Sequence, residues 1–293
     1  MSKFMGLIKK DLALNLKSYW LVLGVTYGTY FIIFILSLLG WTHSDIRPDF
    51  EFQEMYGGLL PDNVLILIQY LFHKTYGIYP AFLTIIFIIS ITQNMLNYER
   101  RAKCEIFYRA QPVNIFQKTA SKYLTGIFGH LAVLFLSLLF QYTVSNLFIM
   151  MTGFKVFWWV SFVSMLQIYC KFAILGIFIG SLSFLSSSIF NNKAFSWGLL
   201  SIFIISIVTG LINAYWNLNL PVLINELVSF LFKEMQQFTR LMNFSFETQS
   251  VRLENLINDN WFTVFNYSNL WKILIGFAMY FVATLIYKYR EVR

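Results

Sequence analysis

Long apolar runs separated by shorter polar stretches dominate the chain, and the runs predict membrane-spanning helices. A helix needs about 20 predominantly apolar residues to cross the hydrocarbon core of a bilayer. Six segments approach or exceed this length, at residues 19–40, 80–97, 123–151, 157–185, 194–213 and 270–287. We therefore expect an all-α polytopic membrane protein in which residues 1–293 form a single transmembrane domain with six transmembrane helices.

The first 18 residues follow a different pattern. Apolar residues recur at helical spacing in this segment, with Lys3, Lys9, Lys10 and Lys17 between them. A basic amphipathic helix of this kind lies in the membrane interface. A signal peptide is the competing interpretation, but the apolar run that follows is too long and no small-residue cleavage site comes after it. We predict an interfacial helix over residues 1–18.

Two large polar insertions interrupt the apolar pattern, at residues 41–79 and 214–269. Within the first, residues 64–72 are apolar but reach only about half the length of a spanning helix. They predict a short interfacial or re-entrant helix. Within the second, residues 220–238 form an amphipathic piece, followed by a charged stretch. Both insertions are predicted to lie outside the cytoplasm.

The distribution of charge determines the predicted orientation. Hydrophobic residues make up 58% of the chain and charged residues only 12%, against about 25% charged residues in soluble domains. The N-terminal segment, the 98–122 loop, the 191–193 turn and the C-terminal tail hold 14 of the 22 Lys and Arg residues and four acids. Basic loops face the cytoplasm, so both termini are predicted there. The net charge of +8 then reflects topology and gives no reason to expect nucleic acid as a partner.

Several classes of chemistry find no support in the sequence. Every Asp and Glu lies outside the predicted spans, whereas ion-coupled transporters generally carry ionisable or oxygen ligands at membrane depth. The chain has no nucleophile motif or phosphate loop. Its three histidines share no metal-ligand spacing, and its two cysteines form no plausible pair. We predict no catalytic residue, no metal site and no cofactor on this chain, and we expect His130 to be a hydrogen-bonded core residue.

One cation lies near the middle of a predicted span. Lys171 is roughly 14 residues from either end of segment 157–185, and Gln167 precedes it by one helical turn on the same face. A lysine at this depth is costly unless it faces a cavity or a polar partner. The two residues are therefore candidates for a substrate path. A structural lysine that snorkels or binds a carbonyl group remains the alternative.

The most polar window is the loop at residues 98–122. It contains six basic residues and the acids Glu99 and Glu105. Ile106, Phe107 and Tyr108 sit between the charges, and a proline follows at Pro112. This pattern predicts a short amphipathic helix that ends before the proline. Such a helix offers a surface to another protein, although a basic anchor on anionic lipid is the alternative.

This loop and the overall layout resemble the membrane subunit of type-2 ABC exporters. In that permease family, an acidic residue and basic residues open the loop, a helix and a small-x-Pro turn follow, and a lysine opens the third span. The matching positions here are Glu99-Arg100-Arg101, Glu105, Ala110-Gln111-Pro112-Val113 and either Lys118 or Lys122. The glycine-threonine pair that is usual in the family is replaced by Lys103-Cys104.

The resemblance implies a function. The chain would be a permease subunit, powered by a separate cytoplasmic ATPase that holds ATP and magnesium, and paired with a second permease subunit as a homodimer or heterodimer. The lipid bilayer of a bacterial plasma membrane would surround it. The ATPase would contact Glu99, Glu105, Ile106, Phe107, Tyr108, Arg109 and Pro112. An amphipathic or antimicrobial peptide is one expected cargo, and a six-span immunity protein, sensor or membrane enzyme is the alternative class.

Overall fold

The computed structural model describes residues 3–43, 62–98, 114–151, 154–216, 220–232 and 259–292. These residues form helices and short connections, and no strand occurs among them. The helices are α1 (Lys3–His43), α2 (Asp62–Met95), α3 (Ile115–Met151), α4 (Trp158–Ile189), α5 (Ala194–Trp216), α6 (Leu223–Phe232) and α7 (Tyr267–Val292).

The predicted fold class is confirmed. Six helices in the described parts of the chain are long and apolar enough to cross a membrane: α1 to α5, and α7 together with the helical turn that precedes it at residues 259–264. The protein is an all-α polytopic membrane protein.

The first helix is longer than predicted. Residues 3–18 of the expected interfacial segment and the expected span 19–40 belong to one continuous helix, α1, of 41 residues. No glycine or proline stands at their predicted junction around residue 18, so the chain has no reason to leave the helical conformation there.

Helix α2 also joins two pieces that were predicted to be separate. Segment 64–72, expected as a short interfacial or re-entrant helix, is continuous with residues 80–95 of the expected span 80–97 in a helix of 34 residues. Pro80 lies inside this helix and cannot donate to the carbonyl group of Tyr76. The hydroxyl of Tyr30 on α1 donates to that carbonyl instead, at 2.5 Å. The freed acceptor is therefore satisfied from a neighbouring helix, as membrane helices with proline require.

Helix α3 has a comparable irregularity. It begins at Ile115, within the predicted 98–122 loop, and contains a π-helical turn at Leu124–Phe128. Because of this turn, the Gly129 N–H bonds to the carbonyl of Leu124 and not to that of Thr125. The hydroxyl of Tyr19 on α1 donates to the Thr125 carbonyl at 2.6 Å. Helix α1 thus supplies a tyrosine hydroxyl to each of the two irregular helices beside it.

Helix α4 is the centre of the bundle. It packs mainly against α2 and α7 and also touches α3 and α5. At Gly180 an added Cβ would come within 2.8 Å of Ile88 on α2 and 3.0 Å of Ile127 on α3, so the absence of a side chain lets the three helices meet. The largest fully buried apolar side chains of the core include Ile88, Leu96, Ile127, Leu134, Leu138, Met165 and Phe184.

Helices α2 and α4 run parallel, which places their polar residues in matching positions. At one end, Asp62 forms an ion pair of 2.7 Å with Lys155, which lies just before α4. At the other end, Asn97 donates to the carbonyl groups of Ser187 and Phe190 at 2.8 Å each. Early residues of α2 thus contact early residues of α4, and late residues contact late ones, as expected for parallel helices.

The last helices are less enclosed. Only Ala194 and Ser206 of α5 are buried. Helix α6, within the predicted amphipathic piece 220–238, turns back on α5, and the Ile224 N–H donates to Ser206 Oγ at 2.9 Å. The remainder of that piece, from residue 233, lies outside the described residues, as do residues 44–61 of the first insertion.

Candidate functional site

The predicted ATPase-contact segment falls outside the described residues. Glu99, Glu105, Ile106, Phe107, Tyr108, Arg109 and Pro112 all lie between the described residues Tyr98 and Asn114. Tyr98 is exposed. Asn114 caps α3, since its side-chain oxygen accepts from the Phe116 N–H at 3.1 Å.

The two predicted substrate-path residues lie on α4 and face α2. Gln167 is buried, and its Oε1 accepts a hydrogen bond of 2.6 Å from the hydroxyl of Tyr70 on α2. Lys171 follows by one helical turn and is partly exposed. Gln167 is thus held against a neighbouring helix in the interior of the bundle, and Lys171 lies one turn further along α4.

A second lysine, which the sequence analysis assigned to an outer insertion, lies opposite Lys171. Lys74 belongs to α2 and is only 8% exposed. Its ammonium group is 4.6 Å from the centre of the Tyr70 ring. The register of α2 and α4 places Lys74 and Lys171 one turn beyond the hydrogen-bonded pair Tyr70 and Gln167.

The spacing of these four residues explains why the lysines meet. Tyr70 and Lys74 are one turn apart on α2, and Gln167 and Lys171 are one turn apart on α4. The helices are parallel and the first members of the two pairs are hydrogen-bonded, so the second members come together one turn further along. Lys74 was missed because it falls in the predicted insertion 41–79, just after the predicted short helix 64–72, although Tyr70 and Lys74 already have the spacing of one helical face.

A buried polar network lies one turn away from the lysines. Gln69 on α2 donates from Nε2 to Asn146 Oδ1 at 3.0 Å and to Ser161 Oγ at 2.8 Å. Its Oε1 accepts from the Phe157 N–H at 3.0 Å. One side chain therefore joins α2 to α3 and to the start of α4.

Other polar atoms of this interior have hydrogen-bonding capacity to spare. His73 Nδ1 lies 3.0 Å from the carbonyl oxygen of Gln69, and because that oxygen only accepts, the ring nitrogen is the donor. Within the described structure, four buried side-chain atoms have no hydrogen-bond partner, namely His73 Nε2, Ser137 Oγ, Gln141 Oε1 and Asn146 Nδ2. The space enclosed by α2, α3 and α4 is polar on several sides.

The side chains of α4 around Lys171 are more exposed than those that precede and follow them along the helix. All seven residues of α4 from 169 to 175 are partly exposed, whereas buried residues predominate on either side of this stretch. Phe172, Ile174 and Leu175 therefore present apolar surface next to the lysine. The arrangement combines two cations with accessible apolar side chains.

A separate polar cluster joins α1 to the first turns of α3. Asp11 is 3% exposed and accepts from Ser121 Oγ at 2.6 Å. Lys122 is also buried, and its ammonium nitrogen lies 4.0 Å from Asp11. Asp11 and Lys122 were predicted to lie outside the spans, but both belong to the long helices α1 and α3.

His130 extends the contact between α1 and α3. Its ring nitrogens bond to Ser18 Oγ at 3.0 Å and to the carbonyl of Gly126 at 2.8 Å, and its ring packs edge-on against Tyr19. It is fully buried. The prediction of a packed, hydrogen-bonded histidine is confirmed.

No group of three or more metal-ligating side chains is close enough to hold a metal ion within the described ranges. No protein-family model matches the chain, and no curated protein and no solved structure is significantly similar to it.

Proposed function

We propose that this chain is a permease subunit of an ATP-driven exporter in a bacterial plasma membrane. A separate cytoplasmic ATPase binds and hydrolyses ATP with magnesium, and a second permease subunit completes the path. The proposal draws on the sequence pattern of the 98–122 segment and on a bundle of six helices that can cross a membrane.

The main support for the proposal is the buried contact of Asp11 on α1 with Ser121 and Lys122 on α3. The predicted ATPase-contact segment leads directly into α3. At the end of the second turn of α3, Ser121 and Lys122 meet Asp11 of α1 in the protein interior. A force applied at the contact segment therefore reaches two helices together, as coupling to an ATPase requires.

The next turns of α3 contain the π-helical turn at Leu124–Phe128, which is held to α1 by Tyr19. Such turns often occur at functional positions in helices. In the proposed mechanism, closure of the ATPases displaces the contact segment, and α1 moves with the first part of α3. The path between the two permease subunits changes shape as a result.

The cargo we propose is amphipathic, such as an antimicrobial peptide. Helix α6 has an apolar and a polar face in the second insertion, and exposed aromatic residues cluster near the ends of the neighbouring helices, including Tyr215, Trp216, Phe262, Phe265 and Tyr267. The tyrosines and the tryptophan of this set favour the membrane–water interface. These surfaces suit a molecule that leaves the protein at the outer leaflet.

The contact segment can be tested by removing its two aromatic side chains. In a Phe107→Ala, Tyr108→Ala double variant, the chain should still insert, because the spans are unchanged. Interface anchors of this size contribute about 1 to 4 kcal/mol each. The tagged variant, purified from native membranes, should lose the nucleotide-binding subunit and the associated ATP hydrolysis that wild type retains.

Charge reversal at Arg100 and Arg101 is the matched control for a lipid anchor. The anchor explanation predicts altered topology in the charge-reversed protein and an intact complex in the aromatic variant. That pair of results would show that the segment only binds lipid, and the coupling assignment would be withdrawn.

A further inference from the structure

The π-helical turn of α3, at Leu124–Phe128, holds one residue more than an ordinary helical turn. Residues before such a turn are displaced by one helical position from their places in an uninterrupted α-helix. This displacement is a rotation of about 100° and a rise of about 1.5 Å. If the turn closed to the α form, Ile115–Tyr123 would move by this amount relative to Gly129–Met151.

The Thr125 carbonyl has a donor in both forms. In the π form the Gly129 N–H bonds to the carbonyl of Leu124, and the Tyr19 hydroxyl donates to that of Thr125 at 2.6 Å. In the α form the Gly129 N–H would bond to the Thr125 carbonyl, as in any regular turn. Tyr19 reaches this carbonyl because residue 129 is a glycine, since an added Cβ would collide with the tyrosine hydroxyl. The bond from Tyr19 therefore favours the π form.

The buried carboxylate of Asp11 also has a partner in both forms. It now accepts from Ser121 Oγ at 2.6 Å, and Lys122 Nζ lies 4.0 Å away. Closing the turn would bring Lys122 into the position that Ser121 holds, because each residue before the turn moves by one place. A hydrogen bond from serine would be exchanged for a direct ion pair with lysine, and α1 and α3 would remain joined.

Two further contacts of the same segment would be exchanged. The hydroxyls of Thr119 and Thr284 on α7 are 3.2 Å apart, and each can instead donate to a carbonyl of its own helix. In the core, Leu124, now 38% exposed, would take the place of the buried Tyr123. One apolar side chain would enter the core as another leaves it.

We propose that the π-helical turn is a register switch controlled by Tyr19. With the Tyr19 hydroxyl on the Thr125 carbonyl, the turn is held in the π form. Release of Tyr19 closes the turn, rotates Ile115–Tyr123 and lengthens α3 by one helical rise. The inference rests on the proposed function only for the force that drives the shift, because the two registers belong to the chain alone.

Disulfide cross-linking of the purified full-length chain in nanodiscs distinguishes the two registers, in a background without the native cysteines. Thr284→Cys is combined with Thr119→Cys, which faces it in the π form, or with Ala120→Cys, which takes that place in the α form. With Tyr19 present, the 119–284 pair should dominate. Tyr19→Phe removes a hydrogen bond made only in the π form, so the ratio of 120–284 to 119–284 cross-links should rise about fivefold or more.

Tyr30→Phe is the matched control, since it removes another hydroxyl of α1 that donates to a helix carbonyl, but on α2. It should leave the cross-link ratio unchanged even where stability falls. Gly129→Ala is a second route to the α form, because its methyl group would displace the Tyr19 hydroxyl. It should raise the ratio as Tyr19→Phe does, and it decides the question if Tyr19→Phe does not fold.

An unchanged ratio in folded Tyr19→Phe or Gly129→Ala would show that Tyr19 only caps a fixed turn, and the switch would be withdrawn. An equal rise in Tyr30→Phe would indicate general loosening of the bundle and would also overturn it. The cross-links form without an ATPase, so these results reject the switch alone. Retention of the nucleotide-binding subunit by the Phe107→Ala, Tyr108→Ala variant, with the cross-link pattern as expected, rejects only the exporter assignment.

Discussion

Gln69 shows how much a single polar side chain can contribute inside this bundle. It joins α2 to Asn146, Ser161 and the backbone of Phe157, and it is 4% exposed. Replacing it with leucine preserves the approximate volume but leaves those partners short of hydrogen bonds. Unsatisfied groups in such an interior are costly because no water compensates them.

We therefore expect Gln69→Leu to lower the free energy of unfolding by about 1 to 3 kcal/mol. The measurement is a denaturation midpoint in mixed detergent micelles. Gln93→Leu is the matched control, since Gln93 lies on the same helix, is only partly buried and makes no side-chain hydrogen bond in the described structure. Equal midpoints for the two variants would contradict the role assigned to Gln69.

At the same scale, sequence reasoning found half of the candidate site. Gln167 and Lys171 were identifiable because a lysine in the middle of an apolar run is rare. Lys74 lies among His73, Thr75 and Tyr76, where local composition indicates a loop. Its position inside a spanning helix follows only from packing against α4. The composition of the neighbouring residues carries no information about that packing.

At the scale of elements, the irregular turns of α2 and α3 depend on α1. Pro80 leaves the carbonyl of Tyr76 without its usual donor, and Tyr30 supplies a hydroxyl. Sequence patterns treat proline as the end of a helix, which is why α2 was predicted as two pieces. In an apolar medium, breaking the helix would expose more backbone groups than the proline does.

This dependence can be measured with a double-mutant cycle. Tyr30→Phe should lower the free energy of unfolding by about 1 kcal/mol in the wild-type background. In a Pro80→Ala background the residue at 80 has its own N–H, so Tyr30→Phe should have little effect. The measured quantity is the coupling free energy, which is the difference between the effects of Tyr30→Phe in the two backgrounds. Equal effects of Tyr30→Phe in both backgrounds would show that its hydroxyl does not replace the missing donor.

At the scale of the whole molecule, the number and kind of long helices were predictable because 20-residue apolar runs have few alternatives. Their ends were less predictable. Helices α1, α2 and α3 extend beyond the apolar runs into charged sequence, where neighbouring helices, and not lipid, satisfy the polar side chains. Asp11 and Lys122 are examples, since each is buried against the other helix.

The orientation stays a prediction, and cysteine labelling tests it. The native cysteines Cys104 and Cys170 are first replaced by serine or alanine. Single cysteines at Glu51 and Glu247 should then react with an impermeant thiol reagent in intact cells. Single cysteines at Lys193 and Lys288, both exposed in the structure, should react only after the cells are opened. The reverse pattern would place the basic loops outside.

The polar residues of α2 are synthesised well before the α4 residues that contact them. Gln69, His73 and Lys74 emerge from the ribosome with α2, but the helix that covers them begins only at Trp158. The intervening stretch of roughly 60 residues takes about 3 to 12 seconds to translate at 5 to 20 residues per second. During that interval α3 already offers Asn146 to Gln69, but the partners that α4 supplies to this face are missing. We therefore expect the insertion machinery to retain α2 until α4 arrives, so that the two helices enter the lipid together.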